Sequence, residues 1–301
     1  MTRLTPAEHR ALQRISRDDG KLVVVAFDQR ASLRKMLAES NRPDDDHSIF
    51  QVKVDLARQL GGEASAVLGD PEIALPAMVT DGIIPPRTGL IVAVEQTDPP
   101  WVEGFRRSAL LPEFGASGVR SVGGDSGKLL VYLRPDSTTS VDHAESVVRT
   151  FIEDCSASSL LAVIEAVVYP RRGEDPDRFE RNLARMVPEA ASLGASWGAK
   201  FLKLQYPGST SACRAITEAA RVPWAVLSGG ASFSVFRTRL LSALEAGASG
   251  FIAGRALWQE SIRLGQADRR SWLAETGAGR LHELASILEG AGRPWTEVLT
   301  S

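Results

Sequence analysis

Short runs of apolar residues recur along the chain with amphipathic stretches between them. The runs are Leu22–Phe27, Ala64–Leu68, Gly89–Val94, Lys128–Leu133, Leu160–Val168, Phe201–Gln205, Trp224–Leu227 and Gly250–Ala253. Several are near-continuous Val, Ile and Leu, the pattern of parallel strands covered on both faces. Helical periodicity fills the intervals, as at Asp44–Leu60, Ser140–Cys155, Asp177–Leu193, Ser211–Ala220 and Ser232–Ala246. Strand–helix alternation repeated eight times predicts an α/β fold, and a count of eight favours a closed (β/α)8 TIM barrel over a doubly wound open sheet. Thr5-Pro6 opens an extra helix expected to cover the bottom of the barrel, and the chain after Trp258 reads as C-terminal helices to Gly290. The segment Thr97 to Gly127, with Pro99-Pro100 and Gly123-Gly124, is expected to be a long loop or lid. No linker divides the chain, so residues 1–301 are read as a single domain.

Strand parity assigns the candidate chemistry. In a barrel of this kind the active site forms at the C-terminal ends of the strands, so polar residues that end or interrupt an apolar strand are the ones to collect. In Phe201-Leu202-Lys203-Leu204-Gln205, alternation turns Phe201, Lys203 and Gln205 inward and the two leucines toward the helices. An inward lysine is either satisfied by a buried carboxylate or is an amine deprived of water and available to attack a ketone. Glu165 interrupts Leu160–Val168, either as a counter-ion or as a proton shuttle. Asp28 ends the first strand, where it could cap the following helix, orient a substrate hydroxyl or stabilise an iminium. Lys128 lies nearer the start of its strand, which leaves its reach to the site open. Ser228-Gly229-Gly230 and Gly254-Arg255 follow the last two strands, where barrels commonly build an anion site from backbone N–H groups and an arginine fork.

Composition sharpens one of these points. Of 35 basic residues only Lys21, Lys35, Lys53, Lys128, Lys200 and Lys203 are lysine. Where arginine serves for generic positive charge, a lysine inside an apolar strand stands out, because arginine cannot give up its proton to become a nucleophile. The net charge of -2 gives no basic field for nucleic acid, and no apolar run reaches membrane-spanning length. Cys155 and Cys213 stand apart, which points to a reduced, cytoplasmic setting without disulfides. No metal is expected, since His9, His47, His143 and His282 are scattered, and without GxGxxG after a strand no dinucleotide cofactor is expected either.

Asp28-Gln29-Arg30 with Ser32-Leu33 and Met36-Leu37 resembles the first strand and helix of the class I tagatose-1,6-bisphosphate aldolases and of the related sulfofructosephosphate aldolases. The resemblance continues through Lys128–Asp136, Ile164-Glu165, Lys203 with Pro207, Pro223–Gly229, and Ala246–Phe251 into Gly254–Trp258. Pro170-Arg171-Arg172-Gly173 leans toward the sulfofructosephosphate branch. The resemblance implies that Lys203 forms a Schiff base and Glu165 moves protons. It implies that Asp28, Gln29 and Lys128 line the site, and that Ser228, Gly229, Gly254 and Arg255 hold a phosphate or sulfonate end. The implied reaction is cleavage of a phosphorylated ketose to dihydroxyacetone phosphate and an aldehyde, with no cofactor and with a sugar phosphate or sulfosugar phosphate as partner. A homo-oligomer is expected for such a barrel. A transaldolase using the same iminium, or a silent sugar-phosphate sensor, is the alternative; dependence of turnover on an acceptor aldehyde separates the first, and ligand-dependent stabilisation without product the second. Three departures stand out: Ala166 in place of proline after the glutamate, Gln205 in place of an acidic residue, and Gly230 before the phosphate loop, with Val67–Asp70 following the second-strand block loosely.

Overall fold

Thr5 and Glu8 start the chain's first helix, Pro6–Ile15, by capping each other. The Thr5 hydroxyl accepts from the Glu8 N–H at 3.2 Å, and the Glu8 carboxylate accepts from the Thr5 N–H at 2.7 Å. The computed structural model describes residues 4–299; residues 1–3 and 300–301 of the expected domain lie outside the described residues. Ten strands follow in chain order: β1 (Leu22–Ala26), β2 (Ala66–Gly69), β3 (Gly89–Ala93), β4 (Trp101–Val102), β5 (Phe105–Arg106), β6 (Ser126–Leu133), β7 (Leu161–Val168), β8 (Phe201–Leu204), β9 (Trp224–Leu227) and β10 (Gly250–Ala253). Eight of them close a parallel barrel in the order β1-β10-β9-β8-β7-β6-β3-β2, while β4 and β5 form a separate antiparallel hairpin. The architecture is a (β/α)8 TIM barrel with the expected eight strands and alternating helices, and not the open sheet.

Strand alternation divides the core in two. Leu22, Val24, Leu68, Ile91, Val163, Phe201 and Ile252 face inward and pack with Leu12 and Ile15 of the N-terminal helix, which stoppers the bottom of the barrel. Val23, Val25, Val92, Leu129, Ile164, Leu202, Leu204 and Val226 face outward into the layer of helices. The stopper sits close against β3: a Cβ on Gly89 would lie 2.4 Å from the Arg14 carbonyl oxygen.

The Thr97–Gly127 segment is more ordered than a plain loop. Glu103 and Gly104 both take positive φ, 53° and 81°, giving the turn that joins β4 to β5 with the twist a two-residue hairpin needs. A helix, Gly115–Ser121, follows before β6. The Arg172 N–H donates to the Gly104 carbonyl at 3.0 Å, tying the hairpin tip to the loop after β7. After β10, helical segments Gln266–Trp272 and Ala278–Glu289 complete the shell as expected. Among the described residues, no helix is long and apolar enough to cross a membrane.

Candidate active site

The inward side chains of the barrel change from apolar to charged at its C-terminal end. Register pairs Glu165 of β7 directly with Lys203 of β8, and Oε2 of the glutamate lies 2.9 Å from Nζ of the lysine. Lys203 is 5% exposed, so the inward-facing, desolvated lysine expected from strand parity is present. The same Glu165 oxygen is 3.0 Å from Nζ of Lys128.

Lys128 is the centre of the cluster. Its start-of-strand position had left its reach open, but its Nζ lies 2.8 Å from Asp28 Oδ2 and 2.5 Å from Glu95 Oε1 as well as close to Glu165. A lysine one layer lower in the barrel has a side chain long enough to climb to the charged layer, and its stem fills the space among the apolar strands. Burial alone would lower the Lys128 ammonium's pKa, but Asp28, Glu165 and Glu95 outweigh it and hold the value well above the usual lysine range. Burial would likewise raise the Asp28 carboxyl's pKa, but Lys128 and then Lys203 outweigh it and hold the group well below the usual carboxylate range. Asp28 is therefore ionised and Lys128 charged across the neutral range.

Asp28 does not cap a helix. The helix after β1 starts at Ala31, and the Asp28 side chain instead takes Lys128 on one oxygen and the Gln29 amide on the other, at 3.1 Å. Glu95, just past β3, was not singled out from the sequence, although it ends an apolar run as Asp28 does. It also accepts from the Leu130 N–H at 3.2 Å, and the Arg30 guanidinium donates to its backbone carbonyl at 2.8 Å while pairing with Glu72. Lys53 and Asp70 form a further ion pair with both side chains fully buried. Lys53 adds to the positive charge felt by Asp28. Its helical position gave the sequence reading no reason to select it.

The charged layer opens into a cavity of about 720 Å³ whose walls include Asp28, Gln29, Glu95, Glu165, Lys203 and Arg255. Ser228, Gly229 and Gly254 adjoin that wall without lining it. The Gly254 N–H donates to the Ser228 hydroxyl at 3.3 Å, and Gly254 lies so close to β1 that a Cβ would come within 2.8 Å of the Ala26 carbonyl oxygen. Gly230, at φ 82°, lies under the Arg255 guanidinium, whose Cζ a Cβ there would approach to 2.9 Å. The two glycine loops and the arginine thus converge at one edge of the cavity. Among the described residues Arg255 has no carboxylate partner. Gln205, expected inward, keeps a buried amide oxygen without a partner. Among the described residues, no group of three or more His, Cys, Asp or Glu side chains is arranged to hold a metal; the three carboxylates are gathered on the Lys128 ammonium.

The chain's likenesses agree with this architecture. Tagatose 1,6-diphosphate aldolase of Streptococcus agalactiae is 27% identical over 325 residues, covering 98% of this chain and 99% of that protein. The enzyme of the same name from Staphylococcus haemolyticus is 26% identical over 316 residues, covering 95% and 96%. Among solved structures, fructose-bisphosphate aldolase of Plasmodium falciparum shares the fold with a TM-score of 0.75 at 13% identity, over 97% of both chains. An archaeal fructose 1,6-bisphosphate aldolase does so at 0.66 and 17%, over 93% of this chain and 98% of that one. The model of the DeoC/LacD family aldolases matches residues 22–260, from the first barrel strand to just past Arg255 and Trp258, and the chain accordingly belongs to that family and is a lyase.

Proposed function

We propose that the protein is a class I aldolase that cleaves a phosphorylated ketose to dihydroxyacetone phosphate and an aldehyde through a Schiff base on Lys203. The observation that carries the reading is the 2.9 Å approach of Glu165 to Lys203 on neighbouring strands of the open cavity. A primary amine needs a partner that can first take and then return a proton, and here one carboxylate is within reach throughout.

Glu165 takes a proton from the Lys203 ammonium, and the neutral amine adds to the C2 carbonyl of the ketose. Glu165 gives its proton to the oxygen and takes one from the nitrogen, leaving a carbinolamine and a protonated Glu165. Glu165 then protonates the hydroxyl as it leaves as water, and the nitrogen lone pair forms the iminium. The C3–C4 bond breaks with its electron pair drawn into that iminium, giving an enamine. The C4 hydroxyl loses its proton to the Glu165 carboxylate, and the aldehyde departs. Protonation of the enamine at C3 and addition of water at C2 release dihydroxyacetone phosphate and restore the amine. Asp28, held ionised, accepts a hydrogen bond from a substrate hydroxyl and offsets the iminium charge. Lys128 holds the three carboxylates together and oriented, and Gln29 holds Asp28. Ser228, Gly229, Gly254 and Arg255 receive the phosphate next to the ketone. The far end of the ketose carries a second phosphate or a sulfonate, in keeping with the tagatose-bisphosphate and sulfofructosephosphate branches that the sequence resembles.

Incubation with dihydroxyacetone phosphate and borohydride, followed by peptide mapping, tests the reading. A reduced three-carbon adduct on Lys203, absent from Lys203→Arg, is the expected result; a folded protein that gives no adduct with the ligand in excess would overturn it.

A further inference from the structure

The closure order of the barrel sets a geometry for the substrate. β10 and β6 are four strands apart in a ring of eight and thus face each other, with β8 midway between them. Arg255 follows β10 and Lys203 lies on β8, so a ketose with its phosphate at Arg255 and its carbonyl at Lys203 directs its remaining carbons toward the wall above β6 and β7. That wall carries Tyr132 of β6, Tyr169 just past β7, and Arg106 of the β4–β5 hairpin, all three lining the same cavity.

Arg106 is held as a donor of fixed orientation. Its Cζ lies 5.1 Å from the ring centroid of Trp101, 5.6 Å from that of Tyr132 and 5.4 Å from that of Tyr169. Aromatic rings grouped around a guanidinium occupy its faces and leave its edge for hydrogen bonds, the arrangement suited to an oxyanion. One part of that edge already holds such a group: Nη1 donates to the Asp98 carboxylate at 2.5 Å. Nε is buried and has no partner. Asp98 itself is 72% exposed on a left-handed turn of the loop at φ 51°, so its hold on Arg106 is an exposed ion pair that costs little to displace. An internal carboxylate thus occupies Nη1 of a guanidinium whose Nε donor is unused, at the end of the cavity facing Arg255.

We infer that Arg106, presented by the β4–β5 hairpin among Trp101, Tyr132 and Tyr169, is the specificity-determining residue for the aldehyde half of the substrate, and that it binds a terminal oxyanion there, displacing Asp98. The inference rests on the aldolase reading and names what that reading leaves open, the group that recognises the far end. Phosphate and sulfonate tails share this chemistry, and the substrates of the test separate them.

The experiment compares kcat/KM for condensation of dihydroxyacetone phosphate with glyceraldehyde 3-phosphate, its 3-sulfonate counterpart and uncharged glyceraldehyde. It uses wild type, Arg106→Met, Arg106→Lys and Asp98→Asn. Asparagine is chosen because it keeps the side-chain size and tolerates the left-handed backbone. Wild type should favour at least one charged aldehyde over the uncharged one by about tenfold or more, and the preferred tail identifies the group bound. Arg106→Met should abolish that preference, Arg106→Lys should restore part of it, and Asp98→Asn should lower KM for the charged aldehydes selectively. Borohydride capture of dihydroxyacetone phosphate on Lys203 in each variant establishes that the Schiff-base end is intact. Condensation with no charge preference in wild type, or a preference that survives in Arg106→Met, overturns the subsite and leaves the aldolase reading standing. Failure of wild type both to capture dihydroxyacetone phosphate and to condense any aldehyde overturns both.

Discussion

Glu165 and Lys203 are register partners on adjacent parallel strands, and their charged atoms are 2.9 Å apart. A pair fixed by backbone hydrogen bonding does not depend on a loop closing to bring acid and amine together. Glu165→Gln preserves the shape and a polar contact to Lys203 but cannot move a proton. It should slow Schiff-base formation by roughly a hundredfold or more, read as the rate of borohydride trapping in a single turnover. The final extent of trapping should stay near one adduct per chain, and an unchanged rate would remove Glu165 from the proton path.

Lys128 is the shared ion-pair partner of three carboxylates from a fully buried position, so its removal should be felt as stability before it is felt as catalysis. Lys128→Met should lose about 3–5 kcal/mol at neutral pH, because Asp28, Glu95 and Glu165 are left crowded without their common cation. The pH dependence has a definite sign. Asp28's folded value is depressed, so its contribution is full above the ordinary carboxylate range and is lost as pH falls; that of Lys128 is raised, so its contribution is full below the ordinary lysine range and is lost as pH rises through the folded value. Wild type should therefore hold this contribution from about pH 4 to about pH 10. The variant's deficit should shrink toward acid as Asp28 takes up its proton. Denaturant melts of the two proteins at a series of pH values would show it.

Gly230 lies beneath the Arg255 guanidinium on a left-handed backbone. Gly230→Ala should cost about 1 kcal/mol of stability for the backbone. It should also push aside the end of a flexible side chain, raising KM for the ketose phosphate several-fold while kcat changes little. A matched fall in kcat would mean that Arg255 acts on the reacting carbons and not on the phosphate.

The His143 Nε2–H donates to the Ser108 carbonyl at 2.9 Å, next to the hairpin that carries Arg106. Burial lowers its pKa below the usual histidine value, ahead of the opposing effect of Ser108. Its contribution is thus present above about pH 6.5 and is lost as pH falls through the folded value. His143→Gln, whose amide can donate to the same carbonyl, should flatten this part of the stability profile below pH ~6.5 while leaving neutral stability near wild type. Thermal melts across that range provide the check.

The residues that could be read from the sequence are those on long regular strands. Lys203, Glu165 and Asp28 interrupt or end apolar runs at inward parity, and period-two alternation holds wherever the ladder does. Lys128 has the same parity, but counting residues along a strand ignores how far a lysine stem extends, and its central place could not be assigned. Glu95 was readable by the rule that found Asp28 and was passed over. Arg106 was out of reach for a physical reason: β4 and β5 are two residues each, too short to show a period, and their turn is set by Glu103-Gly104 in a segment marked mainly by proline and glycine. The anion edge was inferred from glycines whose purpose, clearance for β1 and for Arg255, appears only when the chain is closed into a ring.

The shared ammonium at Lys128 also bears on how the surroundings respond during turnover. In the proposed reaction Lys128 stays positive, so the conversion of the Lys203 ammonium into an iminium replaces one cation by another beside the same oxygen of Glu165. Such a step is isocoulombic: it leaves the total charge of the inner layer unchanged, and the fixed dipoles and ions around it need not rearrange. The reorganisation that would otherwise accompany a charge appearing in a dry interior is settled when the chain folds, before any substrate arrives.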